Sequence, residues 1–213
     1  MSKIVAIFAH PDDESMGPGG TLAKLSQNTD VYLICLTRGE AGGGQANLGQ
    51  IRTKELAAAS KILGIKEIFV LAFPDGKLST QPEQQVLTKI EVLLEKLQPQ
   101  VLITFEPKGF TGHKDHILVG QITKLLFNKL VSVQTLLLYC MSSDQQRLMK
   151  DYFIQVPPGY SKDQVDLVED VSSVWETKLQ AIQAHKSQKE DVKRVLEELK
   201  RLPQEEYFLV ETK

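Results

Sequence analysis

The stretch IVAIFAHPDDE, residues 4–14, decides what fold and what chemistry this chain is expected to have. Its first six residues form a short apolar run without alternation, which predicts a strand buried on both faces, as in a parallel sheet. A histidine and three carboxylates follow within the next five residues. Unpaired buried charge is strongly disfavoured, so such a group at the end of a buried strand needs a partner.

Two interpretations of this acidic turn are open. A divalent metal would satisfy the whole group, with His10 and Asp13 facing it and Pro11 stiffening the turn. Zinc suits nitrogen and oxygen ligands of this kind, and a catalytic zinc takes three protein ligands and a water. Alternatively, Asp12 and Glu14 lie near a helix N-terminus and are favoured by its dipole. The rest of the chain has to decide between them.

Composition narrows the class of protein. The 213 residues are 42% hydrophobic and 24% charged, as expected for one globular domain spanning residues 1–213. The net charge of −2 gives no general attraction to nucleic acid or to an anionic membrane. Because the sequence has neither an apolar run of about 18 residues nor a signal-peptide pattern, we expect a cytoplasmic protein. Cys35 and Cys140 lie in apolar runs and are expected to be reduced core residues.

Strand and helix patterns alternate up to residue 141. Strands are predicted at 4–9, 31–36, 67–73, 101–105 and 135–141, and helices between them. This alternation with short connections favours right-handed crossovers and an open parallel sheet. We therefore predict a Rossmann-like α/β fold with a mostly parallel sheet of core order 3-2-1-4-5 and helices on both faces.

A small C-terminal α/β extension is expected to follow. Residues 152–156 are predicted as an edge strand and residues 207–210 as a last strand. Apolar residues between 171 and 182 fall on one helical face, and a charged helix at 189–202 is expected to be exposed. Trp175 either fills the core of the domain or contacts a partner.

A second polar cluster follows the fourth predicted strand and contains His113, Asp115 and His116. On its own, a histidine pair three residues apart is more typical of a helix start at the surface. In a sheet of order 3-2-1-4-5, however, strands one and four are neighbours, and the crevice opens where the order reverses. Two polar clusters at the ends of adjacent strands therefore predict one shared site.

These two clusters, HPDDE at 10–14 and GHKDH at 112–116, make the chain resemble the LmbE and PIG-L family of zinc-dependent N-deacetylases. The resemblance extends to TRGE at 37–40, Leu48-Gly49 with Arg52 and Glu55, Leu63-Gly64, Lys178, Ala181 and HKSQ at 185–188. It implies a Rossmann-like sheet and an enzyme that hydrolyses an acetamide. The substrate is usually an N-acetylglucosamine-containing compound, from which acetate and a free amine are released.

The resemblance also implies which residues hold the metal. His10, Asp13 and His116 become the ligands of Zn²⁺, or of another divalent metal such as Fe²⁺. His113 in place of His116 is the alternative. Asp12 becomes the general base, since a carboxylate held just off the metal can accept a proton from water. Zinc lowers the pKa of its bound water to about 7, so the nucleophile is available near neutrality.

His113 is implied as the residue that stabilises the oxyanion of the tetrahedral intermediate, acting in its protonated form. Asp115 is expected to hydrogen-bond His113, which would fix its tautomer and support its charge. Either Asp12 or His113 returns a proton to the leaving amine. Glu14 is expected to support the loop rather than to react.

Three further residues are predicted to bind substrate. Arg52 resembles the substrate-contacting arginine of the family, with a helix-surface pair to Glu55 as the alternative. Asp75 is expected to bind a sugar hydroxyl or to serve only its turn. His185 is expected to close the rim of the pocket or to cap its helix. The glycines at 42–44 indicate a mobile loop over the site.

Two other classes of protein fit parts of the sequence. A dinucleotide-binding protein is disfavoured because Gly17, Gly19 and Gly20 do not form G-x-G-x-x-G, and the preceding carboxylates would repel a pyrophosphate. A catalytically silent Rossmann-like module that binds a sugar or a nucleotide is the alternative to the enzyme. The expected partners are a small N-acetylated sugar and, by family resemblance, further copies in a homo-oligomer. No nucleic acid and no membrane is expected.

Overall fold

The computed structural model describes residues 2–149 and 156–213, so the predicted strand at 152–156 lies almost entirely outside the described residues. The described strands form one sheet in the order β3-β2-β1-β4-β5-β7-β6. The first five pair in parallel, whereas β7 is antiparallel to both β5 and β6. The strands are β1 (Lys3–Phe8), β2 (Asp30–Thr37), β3 (Glu67–Phe73), β4 (Val101–Phe105), β5 (Thr135–Cys140), β6 (Leu167–Asp170) and β7 (Glu205–Thr212).

Helices cover both faces of this sheet, which confirms the predicted fold class and the core order 3-2-1-4-5. They are α1 (Asp13–Met16), α2 (Gly19–Ser26), α3 (Leu48–Leu63), α4 (Glu83–Leu97), α5 (Gly109–Gly112), α6 (Lys114–Lys129), α7 (Ser143–Met149), α8 (Trp175–Ala184) and α9 (Lys189–Leu199).

The central strand β1 is buried on both faces, as its unbroken apolar run predicts. Val5 and Ile7 pack in a cluster with apolar residues of α4 and α6. Ile4, Ala6 and Phe8 pack in a second cluster with residues of α2, α3 and α8. Because alternate residues of a strand point to opposite faces, each face of β1 contributes to its own core. The acidic turn is therefore fixed to the best-buried strand of the molecule.

The C-terminal extension completes the sheet. β7 confirms the predicted last strand, and β6, which the sequence did not indicate, forms the edge beside it. The helix expected to be exposed, α9, instead buries Val195 and Leu199 against Ile182. Trp175 packs against these same apolar residues and so belongs to the core of this chain.

Two further expectations concern thiols and membranes. Cys35 and Cys140 are free and buried, as predicted for reduced core residues. Among the described residues, no helix combines the length and apolar character that crossing a bilayer requires. The cytoplasmic location and the homo-oligomer stay predictions.

Candidate active site

The site lies at the carboxyl ends of neighbouring parallel strands. β1 pairs directly with β4, so the loops that follow these two strands open at the same edge of the sheet. Nδ1 of His10, from the first loop, lies 3.2 Å from Nε2 of His116, near the end of the second. The predicted convergence of the two polar clusters at the switch point is thus confirmed.

Three side chains with metal-binding atoms face one another here: His10, Asp13 and His116. Nε2 of His116 lies 3.2 Å from Oδ1 of Asp13, and Nδ1 of His10 lies 3.7 Å from Oδ2 of Asp13. All three residues are at most 8% exposed. Ligands held at about 2.1 Å around a tetrahedral zinc ion are separated by about 3.4 Å. These separations therefore suit one divalent ion between the three side chains.

Hydrogen bonds on the far sides of the two rings set their tautomers. Nδ1 of His116 donates to the Gly109 carbonyl at 3.1 Å, which leaves Nε2 as the lone-pair nitrogen. Nε2 of His10 donates to Asp75 at 3.0 Å and to Asp115 at 3.3 Å, which leaves Nδ1 free. Two ring nitrogens and a carboxylate oxygen at these distances need either a shared proton or a cation between them. The donor set thus fits the metal that the sequence predicts.

His113 remains the alternative ligand. His10, His113 and His116 can each offer one nitrogen within 4.8 Å of the others. However, the ring of His113 is exposed, and its Nδ1 accepts the backbone N–H of Asp115 at 3.2 Å. Only its Nε2 is directed away from this bond, which suits a hydrogen-bond donor to substrate.

The surroundings of His113 favour its neutral form and not the protonated form that the family resemblance implies. Burial, followed by the positive charges of His116 and His10, lowers the pKa of His113. Since Nδ1 already accepts a backbone N–H, the neutral Nε2–H tautomer is favoured over the imidazolium. The expected bond from the Asp115 carboxylate to His113 is also wrong, because that carboxylate accepts from Leu78 N at 3.1 Å and from His10.

The pKa values of the metal donors reflect this crowding. Burial lowers the pKa of His10, but its hydrogen bonds to Asp115 and Asp75 outweigh burial and raise that pKa to about 10. Burial raises the pKa of Asp13, but the charges of His116 and His10 hold it well below its ordinary value. A metal that binds here displaces a proton, so its affinity rises with pH.

Asp12 has the environment of a general base. Its backbone is left-handed, with φ of 109°, which is strained for a residue other than glycine. Burial raises the pKa of Asp12 to about 6, and the charge of Arg52 opposes this rise. A carboxylate with a pKa near 6 is mostly ionised at neutral pH yet basic enough to take a proton.

Arg52, on α3, holds Asp12 in place. Its guanidinium is 4% exposed and donates to the carbonyls of Gly39 and Pro11 and, at 3.0 Å, to Asp12 Oδ2. The alternative surface pair with Glu55 is wrong, because Glu55 accepts hydrogen bonds from the backbone and hydroxyl of Ser187. A direct contact between Arg52 and substrate stays a prediction.

The glycine-rich loop after β2 packs closely on this guanidinium. A Cβ added to Gly39, which has φ of +70°, would lie 2.5 Å from Arg52 Cζ. One added to Gly42 would lie 2.4 Å from Arg52 Nη1. These two glycines are therefore required for the approach of Arg52, whatever the mobility of the loop between 42 and 44.

Asp75 supports the metal ligand His10. Both of its carboxylate oxygens are engaged, one with His10 Nε2 and the other with Ala41 N at 2.8 Å. These bonds orient a histidine, and the contact of Asp75 with a sugar hydroxyl stays a prediction. Carboxylates commonly hold metal-bound histidines in this way.

The prediction that His185 closes the pocket rim is wrong. Its side chain is fully buried, and its Nε2 lies 2.8 Å from Glu14 Oε1. Glu14 in turn accepts the backbone N–H of Asp12 at 3.0 Å. Burial lowers the pKa of His185, but the charge and hydrogen bond of Glu14, with the charges of Asp12 and Glu55, together outweigh burial and raise it. His185 therefore supports the strained turn at Asp12 through its bond to Glu14. Glu14 has the supporting role that the sequence predicts.

Two buried carboxylates had not been singled out from sequence: Glu106, beside the site, and Glu206, on β7. Glu106 follows β4 directly and accepts N–H groups of the following loop. Glu206, on β7, accepts from Lys178 Nζ at 2.6 Å, and Lys178 also donates to the Gly17 carbonyl. A carboxylate at a strand end was the signal that identified Asp12, and it also applied to Glu106.

A cavity leads to the donor group. It has a volume of about 110 Å³, several times the roughly 30 Å³ share of one liquid water, and reaches Asp12, Asp13 and His116. Its apolar lining includes Phe110 of the second loop, Met149 of α7, and Val195 and Leu199 of α9. A small group can therefore reach the donors with little water around it.

A doubly wound sheet whose switch point holds one metal-donor set and an adjacent carboxylate base has the architecture of a metal-dependent hydrolase. The family model PIG-L, described as GlcNAc-PI de-N-acetylase, matches residues 5–127, and this chain belongs to that family.

Relatives and solved structures agree with this assignment. The chain is 29% identical over 196 residues to a probable N-acetyl-alpha-D-glucosaminyl L-malate deacetylase 2 of Bacillus cereus, covering 88% of this chain and 84% of that protein. It is 28% identical over 223 residues to a 1D-myo-inositol 2-acetamido-2-deoxy-alpha-D-glucopyranoside deacetylase of Corynebacterium glutamicum, covering 88% and 75%. The fold matches N,N'-diacetylchitobiose deacetylase from Pyrococcus horikoshii with a TM-score of 0.75 at 23% identity, covering 99% and 84%.

These comparisons confirm the predicted family and the prediction of an N-deacetylase, an amidase that acts on N-acetyl groups. They support the enzyme over the catalytically silent binding module.

Proposed function

We propose that this chain is a zinc-dependent deacetylase of a small N-acetylglucosamine conjugate, releasing acetate and a free amine. The observation that carries this proposal is the facing arrangement of His10 Nδ1, the Asp13 carboxylate and His116 Nε2 beside Asp12. The two relatives compared here are named for a malate and an inositol conjugate of the acetylated sugar. We therefore place a small polar group at the anomeric position of the substrate.

His10, Asp13 and His116 would hold the zinc ion. Zinc, when bound, lowers the pKa of water towards 7 and polarises a carbonyl group. Asp75 and Asp115 orient His10, and the Gly109 carbonyl orients His116, so the donors are in place before the metal arrives.

The remaining steps belong to two side chains. Asp12, kept largely ionised and fixed by Arg52, takes the proton of the attacking water and returns it to the leaving amine. His113 is the neutral imidazole with its proton on Nε2, and it donates a hydrogen bond from Nε2 to the oxygen on which negative charge develops. This differs from the protonated His113 that the family resemblance implies.

The test is amine release from a panel of N-acetylated sugars that includes malate, inositol and chitobiose conjugates. Protein with one equivalent of zinc should release amine, whereas chelator-treated protein should not, and activity should return when zinc is added back. Asp12→Asn serves as the control for background hydrolysis. Tight binding of a panel sugar without amine release would instead establish the silent binding module, and failure to bind zinc would overturn the metal site.

A further inference from the structure

Glu106 holds the loop whose Gly109 carbonyl accepts a hydrogen bond from the metal donor His116. It follows β4, is 1% exposed, and accepts the backbone N–H of Lys108 at 2.7 Å and that of Phe110 at 3.0 Å. We propose that Glu106 is a positioning residue for His116, acting through the loop at 107–112. The inference rests on the proposed function only in taking His116 as a metal donor.

The loop that Glu106 holds has an unfavourable backbone. Gly109 has φ of 72°, and Phe110 has φ of 59° with ψ of −67°, a combination that a phenylalanine rarely adopts. A Cβ on Gly109 would lie 2.9 Å from the backbone nitrogen of Ile117, so only glycine fits there. A conformation of this kind persists only when its surroundings fix it, and the two bonds to Glu106 do so.

The purpose of that conformation is visible at His116. It directs the Gly109 carbonyl at Nδ1 of His116, 3.1 Å away, while Phe105 stacks on the ring at a centroid distance of 4.2 Å. With the proton fixed on Nδ1, the lone pair of Nε2 faces His10 and Asp13. If the loop relaxed, the carbonyl would turn away and the tautomer would no longer be fixed.

A third bond connects Glu106 to the C-terminal half of the chain. The hydroxyl of Tyr160 donates to Glu106 Oε2 at 3.2 Å, and the Lys108 ammonium lies 4.0 Å from the centre of the Tyr160 ring. This bond does not reach the loop backbone. Tyr160→Phe should therefore affect the metal less than a change at Glu106.

The experiment measures zinc affinity directly, by competition with a chromogenic chelator. Glu106→Gln keeps the shape but can accept only one of the two loop N–H groups, because its amide nitrogen is a donor. We expect zinc binding to weaken by about 10- to 100-fold, as for other residues that orient metal ligands. In ¹⁵N–¹H spectra of histidine side chains, the metal-free variant should also lose the single Nδ1–H tautomer of His116.

Glu206→Gln is the matched control. Glu206 is also 1% exposed and also accepts two backbone N–H groups, those of Gly20 and Thr21, which belong to α2 and not to a loop that carries a metal donor; it further accepts from the Lys178 ammonium. It should lower the melting temperature of the metal-free protein yet leave zinc affinity unchanged. If Glu106→Gln does not fold, Glu106→Asp, which keeps the charge but shortens the reach, takes its place with the same expected loss.

The outcomes separate this inference from the proposed function. Failure of the wild type to bind zinc would overturn the proposed function. If the wild type binds zinc and Glu106→Gln binds it equally well with an unchanged His116 tautomer, only the role of Glu106 is wrong. An equal loss of affinity in Glu206→Gln would also overturn that role, since general destabilisation would then explain both variants.

Discussion

The two loops that bring the metal donors together are held in opposite ways. The loop after β1, residues 9–17, is held by residues that are distant in sequence. Arg52 of α3 donates hydrogen bonds to the Pro11 carbonyl and to Asp12 of this loop. His185, at the end of α8, bonds Glu14, 171 residues away in sequence.

The loop after β4, residues 106–113, is held mainly by hydrogen bonds among its own residues and the start of the next helix. Its first residue, Glu106, accepts N–H groups two and four residues further on, and His113 at its end accepts an N–H of the following helix. A local network of this kind forms as soon as the loop closes, because little chain entropy separates its partners.

The difference shows what each loop requires of the rest of the molecule. Asp12 keeps its left-handed backbone only while α3 and α8 are docked, so the catalytic base depends on the whole fold. His116 depends chiefly on the few residues around it. Changes far from the site should therefore affect the chemistry before they affect the metal.

The largest expected effects come from breaking each loop at its reacting group. His116→Ala should lose most of the bound zinc, because it removes one of the three donors. Asp12→Asn should keep zinc but lose about 10²- to 10⁴-fold in rate, the usual contribution of a general base. Metal analysis after dialysis and the rate of amine release check both variants. Equal metal loss in the two would show that Asp12 also holds the metal.

The same contrast explains what the sequence could reveal. The meeting of the two polar clusters was predictable, because each cluster follows a buried apolar strand and strand order alone brings them together. The roles of Arg52 and His185 were not predictable. The type of a charged residue indicates its chemistry but not its partner in a distant segment. Both were assigned to substrate, yet both bond the first loop.

The edge of the sheet was missed for a different reason. β6 has two apolar and two acidic residues without an apolar run, and its partner β7 comes later in the chain. Nothing local distinguishes such a segment from a loop.

The next largest effect concerns His113, at the boundary of the second loop. His113→Phe should lower the catalytic rate by about a hundredfold, as for loss of one oxyanion donor, with zinc content near normal. His113→Gln, which keeps an N–H donor, should retain more activity. Since the proposed mechanism uses His113 as a neutral donor, the rate should rise through the pKa of Asp12, about 6, without a basic limb due to His113.

Two results would change this assignment. Loss of zinc in His113→Phe would make His113 the ligand in place of His116. A basic limb that is present in the wild type and disappears in His113→Phe would mean that the protonated form is the active one. Rates measured from pH 5 to 10, together with zinc content, distinguish the two.

Arg52→Gln should have a smaller effect, confined to the first loop. Loss of the guanidinium loosens Asp12, and misplacement of a reacting group by about 1 Å costs up to about a hundredfold in kcat. The positive charge of Arg52 lowers the pKa of Asp12, so its removal should raise that pKa and move the acidic limb to higher pH. Arg38→Gln, at an exposed arginine, is the control and should shift nothing. An unmoved acidic limb in Arg52→Gln would contradict the role assigned to Arg52.

The smallest expected effect is on stability, and its sign differs between the two loops. The folded-state pKa of His185, which supports the first loop, is raised above its ordinary value of 6.5, because the charge and hydrogen bond of Glu14 and the nearby carboxylates together outweigh burial. Its stabilising contribution is therefore complete below about pH 6.5 and is lost as the pH rises through the raised pKa. Relative to His185→Gln, the metal-free wild type should lose at most about 1.4 kcal/mol of unfolding free energy for each pH unit of that window.

His113, in the second loop, should behave in the opposite way. Its pKa is lowered by burial and by the charges of His116 and His10, so the unfolded state binds its proton more readily. Relative to His113→Gln, the metal-free wild type should therefore gain stability as the pH rises towards 6.5. Urea denaturation of the wild type and both variants from pH 5 to 9 measures both differences. Differences of the same sign would contradict the opposite directions in which the pKa values of His185 and His113 are shifted. A constant difference for His185→Gln would mean that the His185–Glu14 pair is held as a neutral hydrogen bond and adds no charge to the support of the first loop.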